Sequence, residues 1–331
     1  MKQDSKKNKL NPNEVKEDKI NILRPKKIEE FIGQDLIKSN LKTFIDSSVK
    51  SKKNLDHIIL YGPPGLGKTT LANIISFEKN VNIHATSGPA FSKKGDLVTL
   101  LSNLGNGDIL FIDEIHRLSP VIEETLYPAM EDFKCDYVIG SGPSARVMQI
   151  SIEKFTLIGA TTRLGLISRP LRDRFGIPLQ LDFYNPDALK KIIKNNCLKL
   201  GYNIDEEATL EIAQRSRGTP RIAIRLLKRI LDFAIVKDMK SVDLNLVSDS
   251  LSLMRIDSAG LDEMDRKYLS CIINNYSGGP VGIDTLSAAL LEQRDIIEDV
   301  IEPYLMQKGF VQRTPRGRII TKKGSDHLQI K

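Results

Sequence analysis

Cysteine is scarce in this chain, and Cys135, Cys197 and Cys271 are the three it holds. They lie far apart and are odd in number, which excludes a disulfide framework and every zinc-ligand spacing. Three reduced thiols in a cytoplasmic protein are expected. Long apolar runs are missing too. No stretch is apolar over the length a membrane crossing needs, so no membrane partner is expected. The opening MKQDSKKNKLNPNEVKEDK has no apolar centre, which excludes a secretory signal; residues 1–20 read as a disordered polar tail. Beyond that tail there is no internal repeat and no sizeable low-complexity segment.

What is present fits a globular protein of more than one domain. The 331 residues exceed one ordinary core, and 40% apolar with 27% charged residues is a soluble composition. A net charge of +7 permits an anionic partner such as nucleic acid without demonstrating one.

The apolar pattern divides the chain. HIILY (57–61), VNIHAT (81–86), DILFIDE (108–114) and FTLIGATT (155–162) read as buried strands, separated by helical stretches. Such alternation predicts an α/β fold with a parallel sheet covered on both faces, over residues 21–184. Between the third and fourth strands, residues 135–152 hold two β-rich runs around Gly-Ser-Gly-Pro, a hairpin insertion. Residues 185–256 read as a small helical domain, and 257–331 as a third unit of helices and a hairpin.

GPPGLGKT (62–69) fits G-x-x-x-x-G-K-[ST], follows a buried strand and opens a helix. Gly62, Gly65 and Gly67 let the loop backbone approach phosphates, and N–H groups at the helix start face them. Lys68 supplies positive charge to the outer phosphates; the Thr69 hydroxyl, with Thr70 beside it, suits Mg²⁺. Asp113 and Glu114 emerge at the C-terminal end of the third strand, where open parallel sheets bind ligands. Asp113 suits the Mg²⁺ shell and Glu114 suits activation of a water. ATP and Mg²⁺ are therefore the expected cofactors. His116 carries little signal beyond a polar helix start.

Thr161 and Thr162 end the fourth strand, where either hydroxyl can sense the terminal phosphate; the sequence does not choose between them. Arg174 in LRDRFG is either a finger acting on a neighbour's nucleotide or a helix cap paired with Asp173. Thr219 and Pro220 start a helix whose Ile222, Leu226, Ile230 and Ala234 form an apolar stripe. Arg221 at that start either reaches back to the phosphates or stands on the surface.

GPPGLGKTT, FIDEIHRL, GATTR, LRDRFG and RGTPRIAIRLL together resemble the AAA+ ATPases. With LRPKKIEEFIGQ, SGPAFSKKGDL, YPAMEDF and FVQRTPRGR, the set is similar to the RuvB family of bacterial Holliday-junction branch-migration motors, over roughly residues 20 to 325. The resemblance implies an AAA+ ATPase domain, a helical lid and a winged-helix head. It implies Leu23 and Arg24 around the adenine with Tyr184 nearby, and Glu131, Asp132 and Phe133 lining the nucleotide site. Arg174 becomes a finger acting in trans and Arg221 a second sensor. The hairpin at 135–152, through residues such as Val138 and Ile139, would dock RuvA. RuvC would join a resolving complex, and six copies would ring duplex DNA.

The hairpin FVQRTPRGRII (310–320) would be the wing. From Lys308 to Lys323 there are six basic residues and no acidic one, a pattern for backbone phosphates rather than bases. Arg294, Arg313, Arg316 and Arg318 are the expected DNA contacts, Arg313 and Arg318 foremost. Two rivals stand beside a DNA motor: a clamp-loader-like switch, and a protein-remodelling ATPase, for which Phe91 alone hints at an aromatic pore loop.

Overall fold

The computed structural model describes residues 23–139 and 146–329. Its central sheet has five parallel strands in the order β2-β3-β6-β1-β7. These are β1 (Ile58–Tyr61), β2 (Ile83–Ser87), β3 (Ile109–Asp113), β6 (Thr156–Thr161) and β7 (Ile177–Gln180). β1, β3 and β6 are buried almost throughout, as continuous apolar runs demand. Each fully buried Ile or Leu there contributes roughly 1.5–3 kcal/mol. β7 is the strand the sequence reading lacks. It is short, sits at the sheet edge and alternates buried with exposed, and its exposed Pro178 fits an edge position.

Register decides where the site lies. Tyr61 of β1 is level with Thr161 of β6, and Ile112 of β3 with Gly159. The residues that follow β1 and β3 therefore emerge together with the end of β6. Gly62 is fixed there, since a Cβ would lie 2.3 Å from the Leu181 carbonyl oxygen and its φ is 138°.

The expected insertion is an antiparallel hairpin, β4 (Lys134–Ile139) with β5 (Arg146–Ser151). The side chains of Val138 and Ile139, expected to meet a partner, lie outside the described ones. The lid has helices Pro186–Lys199, Glu206–Arg215, Pro220–Val236 and Leu244–Leu253, plus a two-residue parallel pairing, β8 (Asn203–Ile204) with β9 (Ser241–Val242). One apolar cluster runs from the sheet through Tyr184 into these helices. A second covers the other sheet face, and the head has its own, around Tyr268, Leu269, Ile272 and Leu305.

The head is a winged helix: Glu263–Tyr276, Ile283–Leu290, a run from Arg294 to Gln307, then β10 (Val311–Thr314) and β11 (Gly317–Ile320). The strands pair through a two-residue turn, Pro315-Arg316. A last helix, Lys322–Gln329, is an addition to the sequence reading. Within the run from Arg294, Ile297–Ile301 is a wider π turn. Pro303, which has no N–H to offer the Asp299 carbonyl, sits where an α-helical bond would otherwise close.

Candidate functional site

A cavity of about 380 Å³ opens at the C-terminal ends of β1, β3 and β6, between the sheet and the lid. It brings together Leu23, Arg24, Gly65, Gly67, Lys68, Thr69, Thr70, Asp113, Glu114, Thr161, Thr162, Tyr184 and Arg221. These come from six separate sequence segments and two domains.

The loop is shaped for an anion. Helix Lys68–Lys79 starts without a side-chain cap and without an acidic residue in its first turn, so its N–H groups face the cavity uncompensated. Gly65 and Gly67 have φ of 81° and 105°. A Cβ on Gly65 would lie 2.9 Å from that of Arg221, and one on Gly67 would touch the Phe31 ring at 3.2 Å. The backbone N–H of Arg221 donates to the Gly65 carbonyl oxygen at 3.3 Å. The first residue after Pro220 in the lid helix is therefore bonded to the phosphate loop itself.

Lys68 is 8% exposed, and its Nζ donates to the carbonyl oxygens of Gly62 (2.7 Å) and Pro63 (2.9 Å). Burial pushes its amine down to about 8; Asp113 opposes this and the Arg221 charge adds to it. The charged form, the one able to attract a phosphate, is thus lost as pH rises through that value. Affinity for a fluorescent ATP analogue should fall about tenfold between about pH 7 and 9. Lys68→Arg should remove the dependence.

Glu114 has a left-handed backbone, φ 48°, and its carboxylate accepts from Arg117 at 2.9 Å. Thr161, 1% exposed, is the more deeply held of the two threonines. Its Oγ lies 2.9 Å from His116 Nδ1 and accepts the Arg163 backbone N–H at 2.9 Å. His116, dismissed from sequence as a helix start, therefore orients that hydroxyl. Burial pushes its imidazole below the ordinary value, with the Glu114 charge opposing. Only the fold brings the two together, 45 residues apart. Tyr184 is buried, and its phenol donates to the Leu66 carbonyl oxygen at 3.2 Å, bracing the loop.

Gly62, Glu131, Asp132, Phe133 and Arg174 do not line this cavity. Arg174 lies beside Glu131, Nη2 to Oε1 3.2 Å, over the Tyr127 ring, and it donates to the Pro170 carbonyl oxygen. It is the C-cap residue of helix Arg169–Asp173, as the cap reading has it, but Asp173 pairs with Arg169 instead. Phe133 packs edge-on against Phe155.

On the wing, one expected contact is corrected. Arg318 is 4% exposed and its guanidinium is taken: Nε and Nη2 donate to Glu302 at 2.7 and 3.1 Å, and Nη2 to Glu298 at 3.0 Å. It stands opposite Arg313 across the hairpin and on the same face, and Arg313 Nη2 also lies 3.4 Å from Glu298 Oε1, but only Arg318 is buried under the wing. A buried guanidinium whose charge is met by two carboxylates is not presented to a phosphate. Arg316, in the turn, and Arg313 are exposed. Arg294 is half exposed and lies near Glu298 and Asp284.

Three family models match in sequence: the Holliday junction DNA helicase RuvB P-loop domain over residues 23–181, the RuvB AAA lid domain over 184–257 and the RuvB C-terminal winged helix domain over 258–329. The chain belongs to the RuvB family. The Holliday junction branch migration complex subunit RuvB of Orientia tsutsugamushi (strain Ikeda) is 56% identical over 312 residues, covering 94% of this chain and 96% of that one. The Thermotoga maritima RuvB Holliday junction branch migration motor superposes with a TM-score of 0.87 at 50% identity, covering 93% of this chain and 98% of that one. A single-site mutant of the same RuvB gives 0.87 at 49%, covering 92% and 98%. RuvB membership accounts for the three-part AAA+ layout and for the lid closing the cavity.

Proposed function

We infer that the chain is an ATP-driven motor that moves duplex DNA to shift the crossover of Holliday junctions in recombination and repair. The observation that carries this reading is the single cavity joining phosphate loop, paired acids, sensor threonines and a lid arginine, in a chain whose head presents a basic wing. ATP bound there supplies a cleavable terminal phosphoanhydride. Lys68 and the uncapped helix start hold its phosphates, Thr69 and Asp113 hold Mg²⁺, and Glu114 orients and deprotonates the attacking water. His116 aims the Thr161 hydroxyl, while Thr162 completes that wall. Leu23 and Arg24 flank the base, and Tyr184 fixes the loop. Arg221, bonded to Gly65 through its backbone, transmits phosphate occupancy to the lid.

Glu131, Asp132, Phe133 and Arg174 act on the nucleotide of a neighbouring subunit, which explains why they stand together away from their own chain's cavity. Six copies form a ring around DNA in this reading, with RuvA docked on the 135–152 hairpin, RuvC in a resolving complex, and the cytoplasm as the setting. Arg313 and Arg316 grip backbone phosphates, with Arg294 beside them. A clamp-loader-like switch or a protein remodeller has no use for such a wing.

Duplex DNA should raise the steady-state ATPase rate; a rate indifferent to DNA, with and without RuvA, would sink the motor. Arg174→Ala mixed into wild-type rings should depress activity by more than its share, since each copy disables a neighbour, by up to about 10³-fold in pure rings. Strictly proportional loss in a mixing titration would place Arg174 outside the reaction.

A further inference from the structure

The hydrogen-bonded path from the sensor threonine leaves the ATPase domain. Arg163, whose backbone N–H donates to Thr161 Oγ, sends its side chain into the head. Its Nε donates to Asp299 Oδ1 at 2.6 Å and Nη2 to Asp295 Oδ1 at 3.1 Å. Asp295 and Asp299 are four residues apart and share a helix face. Glu298 and Glu302, also four apart, share another, and they hold Arg318 under the wing. One segment thus carries an acidic pair for the ATPase domain and an acidic pair for the wing.

The head's attachment to the lid is of a different kind. Arg217, four residues before Arg221, is 7% exposed. It donates to the Gly260 carbonyl oxygen at 2.8 Å and pairs with Asp262 at 3.0 Å and with buried Asp265. Breaking that contact leaves buried charge unpaired. Asp295, by contrast, is 72% exposed and Asp299 is 32% exposed, so water readily replaces Arg163 there. The head is fixed to the lid and held to the ATPase domain by a replaceable contact.

We propose that Arg163 is a positioning residue that latches the head onto the phosphate-sensing loop. The two states are head docked and head released, and phosphate occupancy beside Thr161 and Thr162 biases them by moving the backbone that carries Arg163. This is a route from nucleotide to wing that does not pass through the lid. It rests on the reading of the cavity as the ATP site.

The full chain carries the test. Spin labels at Ser102→Cys and Lys322→Cys, both exposed positions, report the distance between ATPase domain and head. The native cysteines are buried and stay unlabelled. Labelled chain is diluted into unlabelled chain, with and without a slowly hydrolysed ATP analogue. Without nucleotide, one narrow distance is expected; the analogue should shift or broaden it. Arg163→Ala and, separately, the pair Asp295→Asn and Asp299→Asn should give the released distribution without nucleotide. Both should lower the ratio of DNA-stimulated to basal ATPase about fivefold, and combining them should add nothing further. The asparagine pair lies outside the cavity, so it breaks the latch without touching the chemistry. Binding of a fluorescent ATP analogue is measured on the same samples. No nucleotide binding overturns the site reading and the latch with it. Nucleotide bound with the distance unmoved, or an unmoved distance in both variants, overturns the latch alone.

Discussion

Replacing Lys68 by alanine is expected to lower ATP hydrolysis by about 10²–10³-fold while the chain stays folded. The amine is the one full positive charge buried among the loop carbonyls, held by Gly62 and Pro63 in the structure. Gly62 and Pro63 are only half-buried, so water can take over their carbonyls when the amine is lost and the structural cost should be small. Its removal takes away charge where negative charge builds on the transferring phosphoryl group, and no other lysine of the loop replaces it. Phosphate release at saturating ATP, with thermal unfolding as control, reads both halves. Wild-type turnover in the variant would remove the phosphate loop from the chemistry. A collapsed melting temperature would mean that the amine holds the loop rather than the nucleotide.

Arg318→Ala should damage the head rather than a DNA contact. It would strand Glu302, which is 2% exposed and also accepts the Tyr268 hydroxyl at 2.9 Å. Breaking one side of such a buried pair costs about 3–5 kcal/mol, enough to lower the head's melting by ~10 °C or more. Arg313→Ala and Arg316→Ala, at exposed positions, should change stability by no more than about 0.5 kcal/mol. Each should weaken DNA binding evenly across sequences and reduce the salt slope by about one. Thermal melts and salt titrations of the three variants separate the cases. An Arg318→Ala head that melts normally but fails to bind DNA would reverse this assignment.

The wing shows how far sequence carried. Its hairpin and tight turn were legible, because turn residues between two apolar pairs are a local signal. Which arginine faces out was not. The carboxylates that claim Arg318 lie 16 and 20 residues away, and only the packing of the helical run beneath the hairpin decides the matter. The same holds for Arg163, whose partners are 132 and 136 residues off. The phosphate loop and the strands carrying it were legible because motif and buried run are contiguous in the chain. β7 was not, because four alternating residues with a proline resemble a loop. Glu131 and Arg174 became a pair only once helix Pro120–Glu131 and helix Arg169–Asp173 were placed side by side.

The apolar cluster that continues from the sheet through Tyr184 into the lid sets the size of the smallest working fragment. Cutting the chain at Tyr184 would strip Leu189, Ile193 and Leu227 from that cluster and uncover the underside of the cavity. A fragment able to hold nucleotide would instead end near Ile256, where the lid's last helix is complete and the separate core of the head has not begun.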